Sequence, residues 1–149
     1  MALDTMTRSK RMQPVQDVAQ RREQEAIRKL GQTQQQLDAQ RAKLEELRGY
    51  RDQYARQFED SGDTGLGAIR MRDYRVFLGR LNEAIHQQET VVAQCDARHQ
   101  QSREQWIAVR SHTRAIGKVM DNFVRQERRQ QDKQEQREQD ERAPGHRKT

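Results

Sequence analysis

Residues 60–67 read Asp60-Ser61-Gly62-Asp63-Thr64-Gly65-Leu66-Gly67, the one place in the chain where glycines cluster. An apolar ladder of heptad period runs on either side of it. Upstream, Leu30, Leu37, Leu44 and Phe58 fall on one line, with Ala26, Leu47 and Tyr54 on the neighbouring line. Downstream, Leu78, Ile85, Val92, Trp106 and Met120 share a line, with Leu81, Cys95, Val109, Ile116 and Phe123 beside it. An alternating 3-4 spacing keeps the a and d positions of a heptad on the facing side of a helix pair. Folding the ladders together at the glycines predicts an all-α protein, a long two-helix antiparallel coiled-coil hairpin. A rod of that kind has no cleft, so its chemistry has to be that of a surface.

Composition points the same way. The chain has 149 residues, of which 32% are hydrophobic and 35% charged, with two prolines. That is too little apolar material for a layered globular core, which in an average domain draws on about half of the residues. It is enough for a narrow seam. Full disorder is the competing expectation for so polar a chain, but disordered tracts do not hold a heptad phase. We therefore expect one elongated domain.

The expected organisation is a flexible arm over residues 1–11, a coiled coil over 12–123, a polar helical extension over 124–142 and a disordered tail over 143–149. Helix 1 is predicted over about 14–59, with Pro14 in or near its first turn, where a missing N–H costs nothing. The turn falls at about 60–67, and helix 2 starts at about 68 with Asp63 or Thr64 as N-cap. Pro144-Gly145 ends it. Gly31 and Gly49 lie inside helix 1 on outward positions. Helix 2 is the longer arm, so its stretch beyond Phe123 is expected to project alone, either mobile or ordered by another protein. Thr33, Gln40, Arg51, Gln88, His99, Ser102 and Thr113 interrupt the seam. Polar groups there lower stability and fix register. Trp106, bulky for a two-stranded seam, reads as core and as a possible partner contact. The same ladders would also serve two chains, so the oligomeric state stays open.

The formal net charge is +6. Most charges nevertheless alternate in sign along polar faces, as in Arg41, Lys43, Glu45, Glu46 and Arg48, which is the pattern of a solvated helix. No aromatic residues interleave with a basic cluster, so no specific nucleic acid is expected as partner. Cys95 is the sole cysteine, which excludes an intrachain disulfide and points to a reducing compartment. No apolar run of about 18 residues is present, so direct membrane insertion is not expected. Basic residues in Met1–Arg11 are not followed by an apolar run, so no secretory signal is expected. The expected location is cytoplasmic.

Enzyme chemistry finds no support. Cys95 and His99 stand one turn apart, with His86 and His112 as the nearest other histidines, but zinc needs three or four ligands. A Cys–His nucleophile needs an orienting third group and a pocket. Gly62, Gly65 and Gly67 follow no strand and precede no Lys-Ser or Lys-Thr pair, so they are not a phosphate loop. Catalytic, cofactor-binding and metal-binding residues are all expected to be none.

One flank breaks the coiled-coil rule. The g positions are polar or charged at Arg22, Lys29, Arg98 and Gln105, but near the turn they become Tyr50, Phe77, Ala84 and Val91. The e positions Arg41, Arg48, Asn82, Glu89, Asp96 and Arg103 stay polar. In an antiparallel pair the g positions of both helices share one side. Leu47, Tyr50 and Tyr54 therefore fall beside Phe77, Leu81 and Ala84. The residues alone leave two readings open. Either the seam broadens where the helices splay, or the strip is a docking surface for another protein.

The order of features resembles the FliJ family of flagellar type III export proteins. The resemblance rests on Arg11-Met12-Gln13-Pro14-Val15, on Leu47-x-x-Tyr50-x-x-x-Tyr54, on Tyr74-x-x-Phe77-x-x-x-Leu81-x-x-Ala84-Ile85, on Trp106 and on the glutamine-rich charged tail. It covers roughly residues 11–142. It implies a cytoplasmic, stalk-like coiled coil, located peripherally at the inner face of the inner membrane. It implies three partners: the hexameric export ATPase, the FlhA-type export gate and export chaperones. The implied gate-binding residues are Leu47, Tyr50, Tyr54, Phe77, Leu81 and Ala84, the same strip reached from the heptad. Gln88 stands where the family commonly has histidine, and Lys43 where it commonly has glutamine. The implied role is to couple the ATPase to the gate during flagellum assembly and hence motility. A related injectisome stalk, a secretion chaperone and a basic nucleic-acid-associated coiled coil are the alternatives.

Overall fold

The computed structural model describes residues 6–62 and 67–142. It contains two helices, α1 (Arg8–Gly62) and α2 (Ala68–Arg142), and among the described residues there is no strand. The chain divides into two compact units, one built from residues 27–105 and the other from 1–26 with 106–149. Each helix contributes to both, and within each unit the helices run antiparallel. The class is all-α, as the ladders predict.

In the 27–105 unit every a and d position from Leu30 to Phe58 and from Tyr74 to Ser102 is buried or half-buried. The deepest is Leu37, 2% exposed. Full burial of such a side chain stabilises by about 1.5–3 kcal/mol. The polar interruptions of the seam find one another. The Gln88 amide donates to the Gln40 side-chain oxygen at 2.7 Å and to the Gln40 main-chain carbonyl at 3.0 Å. The Thr33 hydroxyl donates its single proton to the Leu30 carbonyl at 3.0 Å. Its oxygen is then left to accept from Nδ1–H of His99 at 3.3 Å, which assigns the His99 tautomer. A buried polar group left unpaired costs about 1–3 kcal/mol. Slipping the helices by one heptad would separate both pairs, so these bonds select the register. Gln88 is thus a seam residue. Arg41–Asp96 (3.6 Å) and Arg48–Glu89 (3.4 Å) close the e flank. Half-exposed pairs of this kind contribute little, about 0–1 kcal/mol.

Gly31 and Gly49 are helical, and a Cβ built on either meets no atom within 4 Å. Alanine removes backbone freedom from the unfolded chain at no steric cost. Gly31→Ala with Gly49→Ala is expected to raise stability by about 1–2 kcal/mol. Urea unfolding followed by circular dichroism checks it, through a higher midpoint at unchanged slope.

In the terminal unit the a and d positions from Ser9 to Ala26 and from Trp106 to Glu127 carry the seam. Ala19, Ile116 and Met120 are its buried apolar residues. The Thr113 hydroxyl reaches the Ala19 carbonyl at 3.3 Å and the Val109 carbonyl at 3.0 Å. That register sets the small Ala26 opposite Trp106, which gives the bulky indole room in a two-stranded seam. Arg110 lies over the ring, 5.2 Å from its centroid.

Here the structure corrects two expectations. Residues 8–11 are helical, not part of an arm, and Pro14 lies in the second turn of α1. Helix 1 starts early because its N-terminus is held from two sides. Thr7 acts as N-cap, its hydroxyl accepting from the Lys10 N–H at 3.3 Å. Glu127 of α2 then accepts from the Ser9 N–H at 3.1 Å and from the Ser9 hydroxyl at 2.7 Å. The first turn of α1 contains no acidic residue of its own, so Glu127 supplies the negative charge that a helix N-terminus favours. Helix 2 therefore does not lose its partner at Phe123. Arg8 covers the Phe123 ring at 5.8 Å, and Glu127 continues the a line one heptad beyond Met120. Residues 131–142 are helical and exposed. The expected N-caps Asp63 and Thr64, the Pro144-Gly145 stop and the tail over 143–149 lie outside the described residues. Within them, the first turn of α2 is capped by the Gly67 carbonyl, which accepts from Arg70 at 3.1 Å and Met71 at 3.3 Å.

The Ser9 hydroxyl and then the Ser9 N–H hold the Glu127 carboxyl below the ordinary glutamate range. A depressed folded pKa means that the clasp is fully present above the unfolded value, about 4.3, and is lost as pH falls through the lower folded value. Residues 8–11 are expected to fray as pH falls below the ordinary glutamate range, seen as collapse of the Ser9 amide shift in NMR spectra. Glu127→Ala should fray the same residues at neutral pH and abolish that pH dependence.

Candidate docking surface

The surface lies in the 27–105 unit and is built on an aromatic cluster. Phe58 and Tyr74 stack with ring centroids 3.7 Å apart. Tyr54 also stacks with Tyr74 at 5.3 Å and tilts against Phe77 at 4.4 Å. Offset and tilted aromatic pairs of this kind contribute about 0.5–1.5 kcal/mol beyond the area they bury. They leave the rings little freedom. Phe58 and Tyr54 are a and d residues of α1, and Tyr74 is a d residue of α2, so three of the four rings belong to the seam. Phe77, one position off it, carries the apolar surface outward.

Tyr50, Gln53, Tyr54, Gln57, Phe77 and Leu81 line a groove of about 300 Å³. Tyr50 is 54% exposed and Phe77 46%, so neither ring is enclosed by its own helix pair. The Tyr50 hydroxyl donates to Glu46 one turn back at 3.2 Å, which holds the ring along α1. The heptad argument names six residues here, and four of them, Tyr50, Tyr54, Phe77 and Leu81, meet in this groove. Leu47 and Ala84 are half-buried and do not line it. Gln53 and Gln57 are the lining residues that apolar patterning misses. Periodicity counts only apolar positions, and an amide on a groove rim gives no such signal. Lys43 is exposed.

Nothing in this surface suggests catalysis. Cys95 is a buried free thiol and His99 is half-buried against Thr33. Among the described residues no group of three or more His, Cys, Asp or Glu side chains is placed to hold a metal ion. No described helix is long and apolar enough to cross a membrane.

The family profile described as "Flagellar FliJ protein" matches residues 8–144. The chain belongs to the FliJ family. No curated protein and no solved structure matches it. FliJ membership gives the chain a role in flagellar protein export, and the family is one of coiled-coil export proteins, not a known enzyme family. The match starts at Arg8, the first residue of α1, and runs past the last described residue of α2.

Proposed function

We propose that this FliJ-family chain couples the hexameric export ATPase to the FlhA-type export gate, working peripherally at the cytoplasmic face of the inner membrane and interacting with export chaperones. The observation that carries the reading is the asymmetry of the two flanks in the 27–105 unit. The e flank is closed by Arg41–Asp96 and Arg48–Glu89, whereas the g flank leaves Tyr50 and Phe77 in water beside a rigid ring cluster. Rigid, half-exposed aromatic side chains are what protein interfaces use as anchors, because they add contact area at low entropic cost. ATP hydrolysis belongs to the ring. This chain contributes a shaped surface and its supporting helices, and through them flagellum assembly and motility.

The test is direct binding of the full chain to the gate's purified cytoplasmic domain and, separately, to the export ATPase. Binding to both is expected, and binding to the gate should depend on Tyr50 and Phe77. A chain that binds neither protein, or whose deletion leaves flagellation intact, would overturn the proposal.

A further inference from the structure

The terminal unit carries a second apolar groove, to which the coupling role above assigns no partner. Pro14, Val15, Val18, Ala19, Arg22 and His112 line about 300 Å³. That volume is at the bottom of the range for small-molecule sites, about 300–1,000 Å³, and the groove is shallow. Val15 is 46% exposed and Val18 47%. They do not fill the seam, whose a and d positions here are Met12, Gln16, Ala19 and Glu23. Val15 and Arg22 are g residues of α1, His112 is a g residue of α2, and Val18 stands next to the g line. The groove therefore runs along one flank for two turns of α1, about 12 Å.

Its electrostatics are one-sided. No carboxylate lines it. Residues 8–26 and 106–126, the helical segments around it, hold nine Arg and Lys against four Asp and Glu, a net +5 of the chain's +6.

We infer that this groove docks an acidic amphipathic helix of a partner protein, its aliphatic side chains between Val15 and Val18 and its carboxylates on the basic rim at Arg22. Helix-in-groove recognition needs an apolar trough about two turns long and complementary charge on its edges, and both are present. A bilayer engages convex apolar faces carrying Trp, Phe or Leu, whereas this surface is a trough lined by valine, proline and alanine. Single-stranded nucleic-acid surfaces combine a positively charged track with a succession of stacking platforms, whereas this groove has one guanidinium, Arg22, and no Phe, Tyr or Trp.

The probe is a synthetic helical peptide with leucine at i, i+3, i+4 and i+7 and glutamate elsewhere. It is titrated into the full chain and read by fluorescence of Trp106, the sole tryptophan, and by amide NMR. The peptide should shift residues 14–22 and 112. Val18→Asp should weaken it by about tenfold or more, about 1.4 kcal/mol or more. Gln20→Asp makes the same charge change on an exposed e position and should alter binding by less than about twofold. Phe77→Asp, which tests the gate surface, should leave it unchanged, so the two proposals fail separately. Equal binding of a lysine-for-glutamate peptide would overturn the inference, as would equal effects of Val18→Asp and Gln20→Asp. So would phosphatidylglycerol vesicles or duplex RNA displacing the peptide from these residues.

Discussion

Phe77→Asp combined with Tyr50→Ala is expected to weaken binding to the gate's cytoplasmic domain by about 100-fold or more, with helicity unchanged. Both side chains are about half exposed, so their replacement removes little from the interior of the helix pair. Burying the exposed remainder of each ring against a partner is worth about 1–2 kcal/mol by area. A carboxylate at position 77 would also lie desolvated against the Tyr54 ring in the complex, at a further cost of one to several kcal/mol. Together these exceed the 2.7 kcal/mol or so that 100-fold requires. Leu81 is a less clean position for the test. It lines the groove but is also a d residue, so aspartate there would open the seam and confuse binding with folding. Calorimetric titration beside far-ultraviolet circular dichroism separates the two. Wild-type affinity at full helicity would show that the gate does not read this groove.

The largest expected effect on stability is that of Leu37→Ala. Leu37 is 2% exposed, the only side chain among the described residues with its whole volume enclosed. The register set by Thr33–His99 puts it opposite Cys95, itself buried. Leucine-to-alanine truncation in a packed interior costs about 2–5 kcal/mol, and more where neighbours cannot collapse into the gap. The Gln40–Gln88 and Thr33–His99 bonds, one turn to either side, hold the helices at their spacing and hinder that collapse. A value toward the upper end is expected in urea unfolding of the full chain. A loss below about 1 kcal/mol would mean that the helices close over the cavity.

The residues of the candidate surface were legible in the sequence to the extent that they depart from a rule. Tyr50 and Phe77 stand at g positions, where a two-helix seam has no use for aromatic rings. Their exposure follows from that geometry. Leu47 shares the d line with Tyr54, yet it lies half-buried outside the groove, which the register alone does not decide. Gln53 and Gln57 were not legible, because a polar residue carries no apolar signal until a neighbouring ring gives it a groove to line. Glu127 is an intermediate case. Extending the a line one heptad past Met120 reaches it, yet its value lies in meeting Ser9, which is more than one hundred residues away in the chain.

The sequence by itself determined that this protein is two helices, where their apolar faces lie and which flank is out of pattern, because a heptad period is a property of each helix alone. The tertiary structure decided which polar residues meet, that Gln88 bonds Gln40 across the seam, that the rings of Tyr54, Tyr74 and Phe58 stack, and that the start of α1 is held by a carboxylate of α2. Periodicity fixes the facing side but leaves sliding free by whole heptads. Only contact between the two helices, with each buried hydrogen bond either made or lost, selects one register from that set.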